Sequence, residues 1–358
     1  MRFRPLAQHQ SGYYGLLAAF LLLASLTCAC PARAETTELR LQRPLDLVAL
    51  PLLIMEHEHL IERTAEAMGL GTVTVTWSTP GSVPVKTDPS GAPGSIDPIQ
   101  ALAAAESDLV AVDLAPFLLA TDATVGTPDE VRALGALAER PYVLVTRNAA
   151  INTIRDFGAA DRIAVPALKT SGPALMLQMA AAQEWGLEHY DKLDPLTLAR
   201  PDATAAAALL SGKGDVDAHF SRSPHADDEL ADPRVHRIMD SFDIAGPHSA
   251  AVLAATVRFR TANPTLCAAI LSALEEADDF IKKGPGAAAE IFAAMVKSGD
   301  ITIEDLTDVI GDPDLAYRAA PAGVMRLAEF MHRIGRLKHR PAAWQDVFLP
   351  EARDLPGN

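Results

Sequence analysis

The order of apolar and polar residues along the chain predicts strands that alternate with helices. Residues 72–77 alternate β-branched side chains and end in Trp77, which is typical of a strand. Residues 45–50 (Leu-Asp-Leu-Val-Ala-Leu) predict an earlier strand that ends at Pro51. Residues 52–68 have the character of a helix, which Gly69 and Gly71 end. This β-α-β opening predicts a parallel sheet with helices on its faces.

The same alternation restarts in the middle of the chain and ends in a helical region. Strands are predicted at 142–146, 162–166, 196–199, 216–220 and 250–257, with helices at 173–185, 203–210, 264–283, 286–298, 302–310 and 322–335. This order predicts an α/β protein with a discontinuous first lobe, residues 35–146 plus 248–358, and an inserted second lobe, residues 147–247. Two extended segments that join two lobes allow hinge closure on a ligand.

Length and composition agree with this layout and restrict the classes of partner. The chain has 358 residues, of which 49% are hydrophobic and 22% charged, which is ordinary for globular domains. Its formal net charge is -15. Such an acidic surface repels nucleic acids and anionic lipids, so a nucleic-acid partner is not expected.

Residues 1–34 form a predicted export signal. Arg2 and Arg4 precede an uncharged apolar run, and small residues end at Ala34, where cleavage is expected. The mature chain is then periplasmic and carries a net charge of -18, because three arginines and no acid are removed. Lipidation of Cys28 or Cys30 is the alternative, although neither follows a convincing lipobox. Cys267 would then be the remaining cysteine, and its apolar helical surroundings predict a buried packing residue.

The strongest local signal for a binding site lies at Lys169-Thr170-Ser171-Gly172. A buried strand precedes it, and a helix follows with Pro173 near its first turn. The free N–H groups and dipole of a helix start favour an anion, to which Lys169, Thr170 and Ser171 would add donors. The alternative is that Ser171 only caps the helix.

His219 and Ser221 form a second candidate, at the end of another predicted strand. Strand alternation places both side chains on one face, where the imidazole could donate to a ligand oxygen. A hydrogen-bonded core histidine is the alternative. The His57 and His59 pair on the first helix has the wrong spacing for a shared metal, so a solvated surface is predicted there. The sequence has no nucleophile elbow, P-loop, dinucleotide fingerprint or zinc motif, so no catalytic residue, cofactor or metal site is predicted.

The chain resembles the nitrate/taurine (NitT/TauT) type of ABC-transporter substrate-binding protein, similar also to alkanesulfonate and thiamine-pyrimidine binders. The resemblance covers about 300 residues through the order of its motifs rather than any single one. Its carriers are Glu58-His59-Leu60-Ile61-Glu62-Arg63, Ala101-Leu102 with Asp108-Leu109, Asp161-Arg162-Ile163-Ala164-Val165-Pro166 with Ser171, His219-Phe220-Ser221, Phe259 with Asn263-Pro264, Ala320-Pro321-Ala322-Gly323, and Phe330-Met331, Gly335, Pro341, Trp344, Asp346 and Phe348.

This resemblance implies a type II periplasmic-binding-protein-like fold, a ligand between the lobes, and a membrane permease and ATPase as partners. It implies pocket segments after Leu50 and after Trp77, which adds Pro51 and Ser78 to the predicted site. The long Pro/Gly-rich loop at 78–95 departs from the family and could reshape the cleft. Pro173 departs as well, since proline lacks an N–H donor.

The sequence therefore predicts a monomeric periplasmic protein that captures a small organic solute for an ABC importer. A sulfonate or carboxylate would use the helix start at Ser171, and a small heteroaromatic would stack on Trp77. An enzyme on the same fold, of pyrimidine-forming or lyase type, and a ligand-sensing module for a membrane receptor are the alternatives.

Overall fold

The computed structural model describes Met1 and residues 34–80, 97–222, 225–297 and 301–358. Its contacts divide the chain into two compact units, Met1–Glu35 and Thr36–Asn358, and every element below belongs to the second unit. Apart from Met1 and Ala34, the predicted export signal lies outside the described residues, as do Cys28 and Cys30. No helix in the described part of the chain has the length and apolarity needed to cross a bilayer.

The first sheet has six strands and takes them from both ends of the unit. Its spatial order is β11-β4-β10-β3-β1-β2. β1 is parallel to β2 and β3, whereas β10 runs antiparallel to β3 and β4. The carboxyl ends of β1, β2 and β3 therefore meet at one edge of this sheet. The strands are β1 (Glu38–Gln42), β2 (Thr74–Ser78), β3 (Leu109–Asp113), β4 (Val131–Glu139), β10 (Ser249–Thr256) and β11 (Ala316–Tyr317).

The second sheet has five strands and comes from the middle of the chain. Its order is β7-β6-β8-β5-β9, with β6 parallel to β7 and β8 and with β5 antiparallel to β8 and β9. The carboxyl ends of β6, β7 and β8 share one edge. The strands are β5 (Val143–Thr146), β6 (Ile163–Val165), β7 (Thr197–Ala199), β8 (Ala218–Ser221) and β9 (His236–Asp240).

Helices cover both sheets and bury the apolar side chains in two large clusters. One cluster lies under the helices next to the first sheet and contains the fully buried Cys267, which confirms its predicted burial. The other runs from Val112 of the first sheet to Phe220 of the second. The helices are α1 (Leu50–His57), α2 (Leu60–Ala67), α3 (Pro98–Ala103), α4 (Leu114–Thr124), α5 (Gly172–Trp185), α6 (Asp202–Ser211), α7 (His225–Ala231), α8 (Ser241–Ala245), α9 (Val257–Ala262), α10 (Pro264–Lys283), α11 (Pro285–Val296), α12 (Ile303–Ile310) and α13 (Val324–Arg333).

The α/β fold with two sheets and a helical C-terminal region is confirmed, but the first strand was predicted at the wrong place. Residues 45–50 contain a short 3-10 helix, Leu47–Ala49, and the first residue of α1. Asp46 caps the 3-10 helix by accepting a hydrogen bond from the Ala49 N–H, and Pro51 occupies the first turn of α1. The helix predicted at 52–68 is two helices, since His59 adopts φ 53° between them. β4 was not predicted at all.

Two segments connect the sheets and are bonded to each other. The Tyr142 N–H donates to the Ser241 hydroxyl, and the Ser241 N–H donates to the Tyr142 carbonyl, each at 2.9 Å. The His248 ring stacks on Tyr142 at 5.8 Å. The predicted division into lobes stays a prediction, and β5, which was assigned to the first lobe, pairs within the five-stranded sheet.

Candidate functional site: a cavity where the strand ends of the two sheets meet

A cavity of about 240 Å³ lies at the carboxyl edge of β1, β2 and β3. This is the edge at which open α/β sheets bind ligands. Residues of the first sheet and its loops supply almost all of the wall, and Arg222, which follows β8, is the contribution of the second sheet among the described residues. The wall consists of Pro44, Asp46, Val48, Ala49, Pro80, Asp97, Pro98, Ala111, Val112, Asp113, Pro116, Leu137, Ala251 and Arg222.

Arg222 lies among three carboxylates that come from both sheets. Its guanidinium nitrogens are 3.5 Å from Asp46, 3.6 Å from Asp113 and 3.6 Å from Asp202. Burial disfavours the charge on Arg222, but the carboxylates of Asp113 and Asp46 outweigh it and raise the pKa of the guanidinium. Since Asp46 and Asp113 belong to the first sheet and Arg222 to the second, these ion pairs connect the two sheets across the cavity.

The carboxylates around Arg222 differ in what else they bind. Asp46 uses Oδ1 to accept from the Ala49 N–H at 3.0 Å, which leaves Oδ2 facing Arg222. Asp113 precedes α4 but makes no capping hydrogen bond to it. Burial raises the pKa of the Asp113 carboxyl, and the charge of Arg222 offsets part of that rise. Asp113 is therefore the wall carboxylate that is least occupied by the fold itself.

His219 is placed away from the cavity wall, in a buried ionic pair. Its side chain is fully buried, with Nδ1 2.8 Å from Glu229 Oε1 and Nε2 3.5 Å from Asp202 Oδ1. Burial lowers the pKa of His219, but the carboxylates of Asp202 and Glu229 outweigh it and raise the pKa to about 9. Ser221 is equally buried, and its hydroxyl has no hydrogen-bond partner in the described part of the chain.

The predicted anion site at the start of α5 is largely used by the helix itself. The Ser171 hydroxyl donates to the Ala167 carbonyl at 2.7 Å and accepts from the Ala174 N–H at 3.4 Å, so Ser171 is the cap. Lys169 and Thr170 are exposed, and the Lys169 ammonium lies 4.0 Å from Asp194.

Gly172 is the predicted residue of this segment that packs against Tyr142. A Cβ at Gly172 would stand 2.5 Å from the Tyr142 hydroxyl oxygen. Burial raises the pKa of Tyr142, and the negative charge of Asp113 raises it further. Gly172 is thus required for the close packing of Tyr142 beside this carboxylate.

Pro51, Trp77 and Ser78 lie near the cavity but not in its wall. Pro51 is buried in the first turn of α1, and the Ser78 carbonyl accepts from the Arg43 N–H at 2.9 Å. The Arg43 guanidinium lies 5.9 Å from the centre of the Trp77 ring and also binds Glu56. One face of the Trp77 ring, which was predicted to stack on a ligand, is therefore next to the Arg43 guanidinium.

In three places, a predicted site residue lies one or two positions along the chain from a residue of the cavity wall. Ala49 precedes Pro51, Pro80 follows Ser78, and Arg222 follows Ser221. The role of the nine predicted residues in binding stays a prediction. Asp113 and Arg222 carry the signal that could have been used, because each is a charged residue at the carboxyl end of a strand: Asp113 ends β3, and Arg222 directly follows β8.

The carboxylates of the wall do not form a metal site. In the described residues there is no group of three or more His, Cys, Asp and Glu side chains arranged to hold a metal ion. Their common partner is the Arg222 guanidinium.

Comparison with solved structures places this geometry in a known fold. The chain is similar to the alkanesulfonate-binding protein SsuA from Xanthomonas axonopodis pv. citri bound to MOPS, with a TM-score of 0.63 and 18% identity over 86% of this chain and 96% of that chain. The chain has the periplasmic-binding-protein fold. The periplasmic aliphatic sulphonate binding protein SsuA from Escherichia coli gives a TM-score of 0.63 and 17% identity, covering 87% and 99%.

The periplasmic nitrate-binding protein NrtA from Synechocystis PCC 6803 has the same fold, with a TM-score of 0.64 and 15% identity over 88% of this chain and 87% of that chain. No family model matches the sequence, and no curated protein matches it. The structural neighbours thus agree with the resemblance to NitT/TauT-type binding proteins. At these identities the likeness establishes the periplasmic-binding-protein fold and leaves the ligand to be argued from the cavity.

Proposed function

We propose that this chain is an extracytoplasmic solute-binding protein that captures a small organic solute between two lobes and delivers it to an ABC importer. The observation that carries the proposal is the cavity at the joined strand ends, with Arg222 reaching from the second sheet to the carboxylates of the first. A solute bound there would lie where the strand ends of the two sheets meet. Its binding would favour a closed arrangement through its differential affinity for the closed and open states.

The remaining features of the proposal are its location and its partners. Export through the leader ending at Ala34 would place the protein in the periplasm. There it would act as a monomer. A permease and an ATPase of the inner membrane would receive the solute. The two segments that meet at Tyr142 and Ser241 would serve as the hinge, because they connect the sheets.

Thermal unfolding of the purified protein against a panel of small solutes tests the proposal. A solute at about 100 times its dissociation constant adds about 2.7 kcal/mol to the free energy of unfolding. We expect solutes of one chemical class to raise Tm, and we expect the stabilising solute to be recovered chemically unchanged. Product formation from the stabilising compound would instead support an enzyme on the same fold.

A further inference from the structure

The cavity wall carries more negative than positive charge. Asp46, Asp97 and Asp113 are its carboxylates, and Arg222 is its guanidinium in the described part of the chain. Asp202 adds a further carboxylate behind Arg222. An anion entering this cavity would meet three carboxylates and a guanidinium that carboxylates already neutralise. A cation would meet Asp113, which makes no capping hydrogen bond, and Asp46 Oδ2, whose contact with Arg222 is 3.5 Å long.

The Arg222 side chain makes only long contacts with its carboxylates. Its nearest carboxylate oxygens are at 3.5 to 3.6 Å, whereas charge-assisted N–H···O bonds measure about 2.7–2.9 Å. A smaller cation that approached Asp113 and Asp46 more closely would form the short bonds that Arg222 does not.

A buried amide at the end of β1 also lacks a partner in the described residues. Gln42 is 1% exposed, and neither of its amide atoms has a hydrogen-bond partner in the described residues. Its Cα pairs with Val110 in the register of β1 and β3, so its side chain lies on the sheet face that carries Val112 of the wall. An unpaired buried amide is costly, and Gln42 is a polar group at this end of β1 that the described residues leave unsatisfied.

The rest of the wall limits the size and the body of the ligand. Val48, Pro98, Pro116 and Leu137 present apolar surface. The volume of about 240 Å³ lies below the range of about 300–1,000 Å³ that is usual for drug-sized ligands. The cavity therefore suits a small solute with a short apolar body and a charged end.

We propose that the solute carries a protonated nitrogen, as an amine or amidine, which pairs with Asp113 and Asp46 in place of Arg222. This inference rests on the proposed function and specifies the substrate class of the same cavity. Arg222 acts as a tethered cation that fills the acidic cavity in the absence of solute and is displaced by it. The anionic solutes favoured from the sequence would have to use Ser171, whose hydroxyl is occupied by the helix cap.

Calorimetric titration with four compounds of similar length tests the charge class. The probes are butane-1,4-diamine, 4-aminobutanoate, butanedioate and butane-1-sulfonate, backed by thermal unfolding with a wider set of amines, amidines, carboxylates and sulfonates. We expect the compounds that stabilise the protein to carry a protonated nitrogen. Stabilisation by anions alone would overturn the inference while leaving solute binding, and so the proposed function, intact.

Three variants then locate the site with whichever amine or amidine binds. Asp113→Asn should weaken its affinity about tenfold or more, the value of one charge-assisted hydrogen bond. Asp46→Asn should do the same while keeping the Oδ1 cap on Ala49. Arg222→Gln should strengthen the affinity about threefold, because it removes the competing cation.

Asp129→Asn is the matched control, since Asp129 pairs with Arg258 at the surface, 2.8 Å away, and should leave the affinity unchanged. The Tm of each variant without ligand verifies that it is folded. Unchanged affinity in both Asp113→Asn and Asp46→Asn, or a loss in Arg222→Gln, would overturn the inference. Absence of stabilisation by every class would contradict the proposed function, and this inference with it.

Discussion

Two ionic groups lie side by side at the end of β8 and differ in how firmly they are held. His219 is fully buried and approaches Glu229 to 2.8 Å, whereas Arg222 is partly exposed and stays 3.5 Å or more from its carboxylates. Asp202 contacts both. A short buried pair cannot exchange its partner without a large cost, but a loose pair in a cavity can. We therefore expect the His219 pair to stabilise the fold and the Arg222 pairs to exchange with a ligand.

The largest expected effect is at His219. His219→Ala leaves Glu229 buried with no cation, so we expect the free energy of unfolding to fall by about 3–5 kcal/mol. Urea unfolding followed by circular dichroism measures this change. A loss below about 1 kcal/mol would show that the two ionic groups do not differ in the way described.

The pH dependence of stability provides a second measurement of the same pair. The pKa of His219 is raised from about 6.5 to about 9, so its stabilising contribution is full below pH 6.5 and is lost as the pH rises through 9. The wild-type protein should lose this contribution between pH 6.5 and 9, and His219→Ala should not. Parallel stability curves for the two proteins over this range would contradict the assignment.

The next largest effect is expected at Gly172, which allows Tyr142 to pack beside Asp113, one of the carboxylates around Arg222. Gly172→Ala places a Cβ about 2.5 Å from the Tyr142 hydroxyl oxygen, and relieving the overlap should cost about 1–3 kcal/mol of unfolding free energy. Gly158→Ala is the matched control, because the nearest atom to its new Cβ is Asp161 Oδ2 at an ordinary 3.5 Å. Equal Tm values for the two variants would contradict the close packing at Gly172.

Asp278 is a buried carboxyl that, unlike Glu229, pairs with no cation in the part of the chain that the structure describes. Burial raises its pKa from 3.8 to about 8, so the folded protein holds this proton where the unfolded chain has released it. Stability should therefore fall as the pH rises from about 4 to about 8. Asp278→Asn should raise the unfolding free energy at pH 8 by at least about 1 kcal/mol and have little effect at pH 4. Chemical unfolding at the two pH values tests this, and an equal effect at both would contradict it.

The smallest expected effect is on the loosely held side. Arg222→Gln should change the free energy of unfolding by less than about 1 kcal/mol, because its ion pairs are partly exposed and are 3.5 Å or longer. The measurement is the same urea titration used for His219→Ala. A loss of several kcal/mol would mean that Arg222 is structural, which would remove the contrast between the two groups.

The sequence alone determined most of the local structure and the fold class. The helix predicted at 264–283 has the observed bounds of α10, because its apolar residues recur at helical spacing and Pro264 begins it. The alternation of strands and helices was sufficient for the α/β fold, since each strand needs a covered face. These features depend on neighbours within a few residues of each other.

Only the tertiary structure decided which residues meet in the cavity. β4 was missed because its run of Ala, Leu and Gly has weak strand propensity, and it is a strand because β10 and β11 pair with it. Asp46, Asp113 and Arg222 are far apart in sequence and meet because two sheets bring their strand ends together. The sequence left open whether His219 meets a ligand or is a hydrogen-bonded core histidine. Its contact with Glu229 in α7 is one that no local pattern encodes.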